Sequence, residues 1–135
     1  MVGRKSQMRL KAKVYNKDTG DITEIWFRVK HIRNRTEVKA GEFDINRYGG
    51  VTIMSYGDTG LLTFARCREN EEYDRKAGTM VCLQKVVWKH LSHDLYIEEF
   101  DSRFSKDGVL NVVVTSDKTV AFKWLHYGYQ GEVPQ

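Results

Sequence analysis

The sequence predicts an α+β fold, in which an antiparallel sheet of four or more strands packs against one long helix, followed by a second short helix and a C-terminal hairpin. Apolar and polar residues alternate with a period of two in the first half of the chain, as in half-buried strands. Turn residues separate these runs. Residues 64–91 are the longest stretch with helical spacing, so the helix is expected to follow the sheet.

Length and composition favour one domain. The chain has 135 residues, of which 41% are hydrophobic and 30% charged, as in ordinary globular proteins that build a core without metals or disulfides. We therefore expect a single domain over 1–135. Its parts are an antiparallel sheet in 8–67, a helical segment in 74–105 and a terminal hairpin in 109–125.

The first predicted element is a basic hairpin. Residues 9–14 alternate polar and apolar, residues 16–21 are rich in turn formers, and residues 22–32 are again extended. If the polar faces of the two strands coincide, they form a positive surface with an aromatic ring in it. The side chains of this surface are Arg9, Lys11, Lys13, Trp26, Arg28 and Lys30.

A second hairpin is expected before the helix. Residues 31–48 mix charged and apolar types around Gly41, which indicates a loop or an edge strand. Gly49 and Gly50 then precede a strand over 51–56, and a glycine-bounded turn leads to a strand over 61–67. Such local connections favour a meander over a parallel sheet.

The long helix has a start signal and a core face. Asp74 is suited to cap it, because a carboxylate can accept from the unpaired amides of the first turn. Lys76, Lys85 and Lys89 fall outside the apolar spacing. The residues expected to face the sheet are Ala77, Met80, Val81, Gln84, Val87, Trp88 and Leu91.

The rest of the chain has weaker patterns. Residues 92–105 carry apolar side chains with a poor helical period and are interpreted as the second short helix. Residues 109–115 and 118–125 are rich in valine and aromatics around Ser116 and Asp117, which predicts a terminal hairpin.

The distribution of charge favours a phosphate-bearing partner for the first part of the chain. Residues 1–39 carry 11 Lys or Arg against 4 Asp or Glu, whereas the remainder carries 11 against 14. A solvated surface is the alternative explanation for such a basic segment. No run approaches membrane-spanning length and only two cysteines are present, so we expect a protein that stays in a reducing cytoplasm, with no membrane partner.

No known catalytic or cofactor signature is present, so neither a catalytic residue nor a cofactor is predicted. His90 and His93, with Asp94 beside them, could share a helix face as two metal ligands would, but no further ligand is indicated. A pair of histidines at a helix end more commonly caps carbonyl groups or lies in solvent. We therefore predict no metal site.

The candidate ligand-binding site combines cations with a ring. An aromatic side chain can stack on a base while guanidinium groups hold phosphates. Alternatively, the ring belongs to the core and the arginines pair with the acidic residues of 69–74. The residues expected to bind ligand are Arg28, Lys30, Phe64, Arg66, Arg68 and Lys85. A nucleic-acid site would instead use Arg9, Lys11, Lys13 and Trp26.

The segment around the helix start resembles one found in small proteins of tailed phages and prophages, with the approximate form A-x-C-x-x-x-D-x-F-D-x-x-x-G-x-x-x-A-L-x-R. Tyr73 stands here for the aromatic and Lys85 for the final arginine, and about twenty residues are covered. Some small phage proteins of similar layout are anti-defence sponges that sequester cyclic ADP-ribose-type signals. The other matching positions are Ala65, Cys67, Glu71, Asp74, Gly78, Cys82 and Leu83.

The resemblance implies a phage-encoded, non-enzymatic binding protein in the host cytoplasm that acts in counter-defence or host takeover. Its expected partner is a small anionic nucleotide-derived ligand held between sheet and helix. The rival hypothesis is a protein that binds nucleic acid or a host defence protein through the basic hairpin. A third is a metal-dependent hydrolase or nuclease using His90, His93 and the acidic side chains of Glu69, Glu71, Glu72 and Asp74. An exposed sheet edge also makes a homo-oligomer a reasonable expectation.

Overall fold

Alternating apolar side chains produce strands along most of the first half of the chain, and the α+β class is confirmed. A computed structural model describes residues 9–101 and 108–120. Within them the strands are β1 (Leu10–Asn16), β2 (Ile22–Ile32), β3 (Arg35–Lys39), β4 (Glu42–Ile45), β5 (Tyr48–Tyr56), β6 (Leu61–Glu72), β7 (Tyr96–Phe100) and β8 (Val109–Thr115), and the helix α1 is Arg75–His90.

Six strands form one mixed sheet in the order β6-β5-β2-β1-β8-β7. The expected hairpins β1–β2 and β5–β6 are present, and β2 pairs with β5, all antiparallel. The antiparallel sheet expected over 8–67 is thus present, and β8 extends it by pairing in parallel with β1, which makes the complete sheet mixed. The strand β8 is nearly all apolar, with Leu110, Val112 and Val114 buried, as is typical of a strand inside a sheet.

The segment interpreted as a loop or edge strand forms a separate two-stranded ribbon. Strands β3 and β4 pair with each other, from Arg35 opposite Ile45 to Lys39 opposite Glu42. The ribbon follows the last residue pair between β2 and β5, which is Ile32 with Val51. It therefore connects the ends of these two paired strands. All nine of its strand residues are exposed.

The helix begins as predicted and is buried on more sides than predicted. Asp74 has an extended backbone and its carboxylate accepts from the Ala77 amide at 3.1 Å. Every residue from 77 to 88 except Lys85 is buried, including Cys82, Leu83 and Val86, which lie outside the predicted face. Among the described residues, the space between α1 and the sheet is filled by these side chains and by apolar residues of the strands.

The prediction of a second short helix was wrong for residues 96–100, which form β7 and pair with β8. The helix side chain Gln84 fixes this strand: its amide donates to the Leu95 carbonyl at 2.9 Å and its oxygen accepts from the Ile97 amide at 2.7 Å. Residues 102–105 of the predicted helix lie outside the described residues.

The predicted terminal hairpin was also partly wrong. Its first arm is β8, whose partners are β1 and β7. Residues 118–120 form a short 3₁₀ turn where the second arm was expected to begin. Residues 121–125 lie outside the described residues.

Candidate functional site

The sheet has one face against the helix and one face turned away, and strand alternation decides which side chains lie on each. In β2, Phe27 is buried while its neighbour Trp26 is 43% exposed. In β6, Ala65 is buried while Phe64 is 48% exposed. We call the side turned away from α1 the outer face, and it carries Trp26, Arg28 and Lys30 of β2 with Leu62, Phe64 and Arg66 of β6.

The register aligns these residues in rows across β2, β5 and β6. One row consists of Lys30, Ile53 and Phe64, and the next of Ile32, Val51 and Arg66. Neighbouring strands are about 4.8 Å apart, so Lys30 and Phe64, two strands apart, are separated by roughly 10 Å at their Cα atoms. The third row consists of Arg28, Ser55 and Leu62.

The predicted nucleic-acid residues extend the same outer face onto β1. Lys11 is paired with Trp26 in the register, and its ammonium lies 5.4 Å from the centre of the indole. The guanidinium of Arg9 lies 4.7 Å from the same ring, and both distances allow cation–π attraction. Lys13 is opposite Glu24 and exposed. Trp26 therefore lies on one surface between the β1 cations of the nucleic-acid set and four residues of the ligand set, which are Arg28, Lys30, Phe64 and Arg66.

Two of the cations on this surface also lie near carboxylates. Arg9 lies 3.6 Å from Asp58, whose side chain is almost fully exposed, and Lys11 lies 3.4 Å from Glu24. Exposed ion pairs of this kind contribute little to stability. A phosphate could therefore replace these carboxylates at small cost.

Lys85 was predicted to bind ligand, but it lies away from the outer face. It belongs to α1, on the other side of the sheet, and its ammonium donates to the backbone carbonyl of Phe64 at 2.6 Å. The space that was expected to hold a ligand between Lys85 and the sheet is occupied by packed core residues in the described part of the chain.

An open cleft of about 670 Å³ lies where β5 and β6 lose their regular pairing. Tyr48 pairs with Glu72 and Gly50 pairs with Cys67, so residues 68–71 of β6 loop outward. The guanidinium Nε of Arg68 lies 4.0 Å from the Glu71 carboxylate there. The residues that line the cleft are Asn34, Gly50, Val51, Arg66, Cys67, Arg68, Glu69 and Asn70.

Gly50 makes this irregularity possible. Its φ of +130° lies in a region that other residues rarely adopt. A Cβ at this position would lie 2.7 Å from the Tyr73 ring and 2.8 Å from the Ile32 carbonyl oxygen. The backbone of β5 can therefore approach Tyr73 closely only with glycine at position 50.

A polar cluster of three side chains includes Tyr73, which packs against Gly50, and the sequence interpretation missed it. His31 Nδ1 lies 2.6 Å from the Tyr73 hydroxyl and 3.2 Å from the Thr52 hydroxyl, and these two hydroxyls also bond each other. The Arg33 guanidinium packs 4.8 Å from the centre of the Tyr73 ring. The alternation of β2 could have revealed the cluster, because it places His31 on the same face as Phe27 and Val29.

The environment of this cluster keeps the imidazole neutral. Burial, together with the smaller effect of the positive charges of Arg75 and Arg33, lowers the pKa of His31 to about 4. Burial also raises the pKa of the Tyr73 hydroxyl. His31 and Tyr73 are therefore both uncharged at neutral pH, as in a network that holds β2, β5 and the start of α1 together.

Cysteine and metal chemistry have no evident site among the described residues. Cys67 and Cys82 are buried free thiols, and burial raises the pKa of Cys67. The Cys82 thiol donates to the Thr52 carbonyl at 3.5 Å. Within 9–101 and 108–120, no three histidine, cysteine or acidic side chains are grouped as a metal ion would require.

Comparisons with protein-family models, curated proteins and solved structures gave no match. In the part of the chain that the structure describes, no helix has both the length and the apolar character needed to span a membrane.

Proposed function

We propose that this chain is a non-enzymatic binding protein that takes single-stranded nucleic acid on the outer face of its sheet. The observation that supports this proposal most is the pair of half-exposed rings, Trp26 and Phe64, set among cations on one face. Bases stack on such rings whatever their sequence, and cations along the groove follow the phosphates.

The separation of the two rings favours a chain over a single nucleotide. Trp26 lies four residues before Lys30, the β2 residue in the row of Phe64. At about 3.3 Å per residue along a strand and about 4.8 Å between strands, the two rings are roughly 16 Å apart. A stacked strand advances about 3.4 Å per nucleotide, so about five nucleotides would be needed to reach both rings.

The binding measurement is fluorescence anisotropy with a labelled single-stranded oligonucleotide, compared with the matching duplex. We expect Trp26→Ala and Phe64→Ala each to weaken binding about 5- to 160-fold, since stacking of one base contributes about 1–3 kcal/mol. Phe43→Ala is the matched control, because Phe43 is as exposed as Phe64 but lies on the ribbon. Its affinity for the oligonucleotide should not fall.

Salt dependence gives a second readout. Binding through phosphates releases counterions, and the logarithm of the affinity falls with a slope of about −0.7 per phosphate contacted in a single strand. Arg28→Ala and Lys30→Ala should each reduce this slope. An affinity that is independent of salt, or equal for wild type and both ring variants, would refute the proposal.

A small nucleotide in the cleft is the second candidate function. A volume of about 670 Å³ lies within the usual range of ligand sites, and the cleft contains Arg66 and Arg68. Cyclic ADP-ribose-type signals are the ligand class that the resemblance to phage proteins implies. Phage origin, a counter-defence role and the host cytoplasm belong to this proposal on the same basis.

Arg68→Ala distinguishes the two candidates, because Arg68 lies in the cleft and outside the rows of the outer face. If the small ligand is correct, calorimetry with cyclic ADP-ribose and with linear ADP-ribose should give saturable binding that Arg68→Ala removes and Trp26→Ala leaves intact. If the single strand is correct, Trp26→Ala should weaken oligonucleotide binding more than Arg68→Ala does.

A further inference from the structure

The cleft and the outer face are continuous, because two residues belong to both. Val51 and Arg66 lie opposite each other in the row next to that of Phe64, and both also line the cleft. Gly50, the next residue of the cleft along β5, lies on the side away from Trp26. A single strand that crosses Trp26 and then Phe64 is therefore directed into the cleft.

The cleft is close enough to Phe64 to receive the same strand. Gly50 is three residues along β5 from Ile53, which is paired with Phe64. At about 3.3 Å per residue this separation is about 10 Å, which a stacked strand covers in about three nucleotides. The volume of the cleft, about 670 Å³, is in the range of sites that enclose a small ligand, so a terminal nucleotide would fit in it.

Two arginines of the cleft are suited to a terminal phosphate. Within the described part of the chain Arg66 is in no ion pair, and the Nε of Arg68 lies 4.0 Å from the Glu71 carboxylate with its side chain half exposed. A phosphate at a strand end carries a charge of about −1.5 to −2 at neutral pH, whereas each phosphate inside the strand carries a single charge. Because guanidinium groups bind phosphate oxygens through paired, charge-assisted hydrogen bonds, these arginines favour the more highly charged terminal group.

The end of the cleft that lies away from the rings is narrow. A Cβ on Gly49 would lie 3.4 Å from the Cα of Glu69 and 3.5 Å from the Cγ of Asn34. Asn34 and Glu69 belong to different walls of the cleft, so these walls come together at Gly49. A strand that enters from Phe64 would meet this closed end.

Negative charge follows the cleft along β6. Residues 69–74 contain four acidic side chains and no basic one. Arg47 lies 3.3 Å from Glu72, which is paired with Tyr48 beyond the cleft. The remaining carboxylates would repel the phosphates of a strand that continued in this direction.

We propose that the cleft binds the free end of the nucleic-acid strand, with the terminal phosphate held by Arg66 and Arg68 and the preceding bases stacked toward Phe64. An internal stretch would have to pass the closed end and the acidic side chains. A free end ends where the positive charge ends. This inference rests on the proposed function and adds a preference for strand ends to it.

The test compares a linear single strand with a covalently closed circle of the same sequence and length, by fluorescence anisotropy with the full chain. Both can stack on Trp26 and Phe64, but only the linear strand can place an end in the cleft. The linear strand is prepared with a phosphate at its 5′ end, at its 3′ end or at neither. We expect one of the two phosphorylated strands to bind about three- to tenfold tighter than the circle, because exposed charge contacts are individually weak and two arginines contribute.

Arg68→Gln should remove this advantage and leave the affinity for the circle unchanged. Arg35→Gln is the matched control, because Arg35 is an exposed arginine of β3 that does not line the cleft. It should preserve the advantage of the phosphorylated strand. Arg68 is exposed as well, so neither substitution disturbs the core.

A circle that binds as tightly as both phosphorylated strands would overturn the inference, and so would an advantage that Arg68→Gln leaves intact. In both cases the proposed function would stand, because the circle would still bind through the two rings. Absence of binding to the circle and to every linear strand would instead refute the proposed function, and this inference with it.

Discussion

The ammonium of Lys85 donates a 2.6 Å hydrogen bond to the backbone carbonyl of Phe64, and this bond joins the helix to the edge of the sheet. Among the strands that the structure describes, β6 pairs with β5 alone and is therefore an edge strand. Unpaired backbone groups on such an edge can pair with another chain, and a lysine placed there blocks this. Lys85 thus has a structural role that its position in the sequence did not reveal.

Lys85→Ala should reduce stability more than ligand affinity. Loss of the hydrogen bond should lower the free energy of unfolding by about 1 kcal/mol, measured by urea denaturation. Lys89→Ala is the matched control, because Lys89 is exposed one turn later on the same helix. If Lys85→Ala abolished oligonucleotide or nucleotide binding while stability stayed unchanged, Lys85 would belong to the ligand site after all.

Stability should depend on pH through His31. Its pKa is about 4 in the folded protein, against 6.5 ordinarily, so between these values the unfolded chain binds a proton that the folded protein does not. The free energy of unfolding should therefore fall as the pH drops from 6.5 to 4, by at most about 3 kcal/mol.

His31→Gln should flatten this part of the stability profile, measured by thermal unfolding at a series of pH values. Asp18 and Asp117 have pKa values lowered below 3.8 by hydrogen bonds from Ser116 and Thr119, so their contributions are lost at lower pH. An unchanged slope between pH 6.5 and 4 in His31→Gln would contradict the assignment.

Gly50→Ala should be strongly destabilising. The new methyl group would collide with the Tyr73 ring and the Ile32 carbonyl, in addition to the cost of the positive φ. Gly57→Ala is the matched control, because Gly57 also has a positive φ but no atom within 4 Å of the added carbon. In chemical denaturation, Gly57→Ala should lower the free energy of unfolding by about 1 kcal/mol, and Gly50→Ala should lower it clearly more. Equal losses would show that Tyr73 moves aside freely.

Gln84→Met should uncouple the helix from β7. Methionine has a similar volume but leaves the Ile97 amide and the Leu95 carbonyl without their hydrogen-bond partner. Each buried group left in this way should lower the free energy of unfolding by about 1–3 kcal/mol. Met80→Leu on the same buried helix is a volume-conserving control that should cost less than about 1.5 kcal/mol. Similar losses for both variants in urea titration would argue against the bridging role of Gln84.

Local patterns predicted the local elements well. The alternation in β1 and β2, the glycines before β5 and the cap at Asp74 each depend on neighbours in the sequence, and the corresponding elements formed as predicted. The alternation also placed Trp26, Arg28 and Lys30 on one exposed face.

The mispredicted elements depend on partners that are distant in sequence. Tyr96–Phe100 is a strand because β8 pairs with it and Gln84 bonds to its backbone, and its own spacing did not distinguish strand from helix. The sequence treated the two binding sets as alternatives for a similar reason. Their adjacency follows from the pairing of β1 and β5 on either side of β2, which local patterns do not reveal.

The parallel pairing of β1 with β8 joins strands that are roughly a hundred residues apart in the chain, from Lys11 with Val109 to Asn16 with Val114. During translation, β1 leaves the ribosome long before its partner has been synthesised. The middle of the sheet consequently closes only once β8 has been synthesised, and until then the β1–β2 hairpin is what keeps β1 from pairing elsewhere.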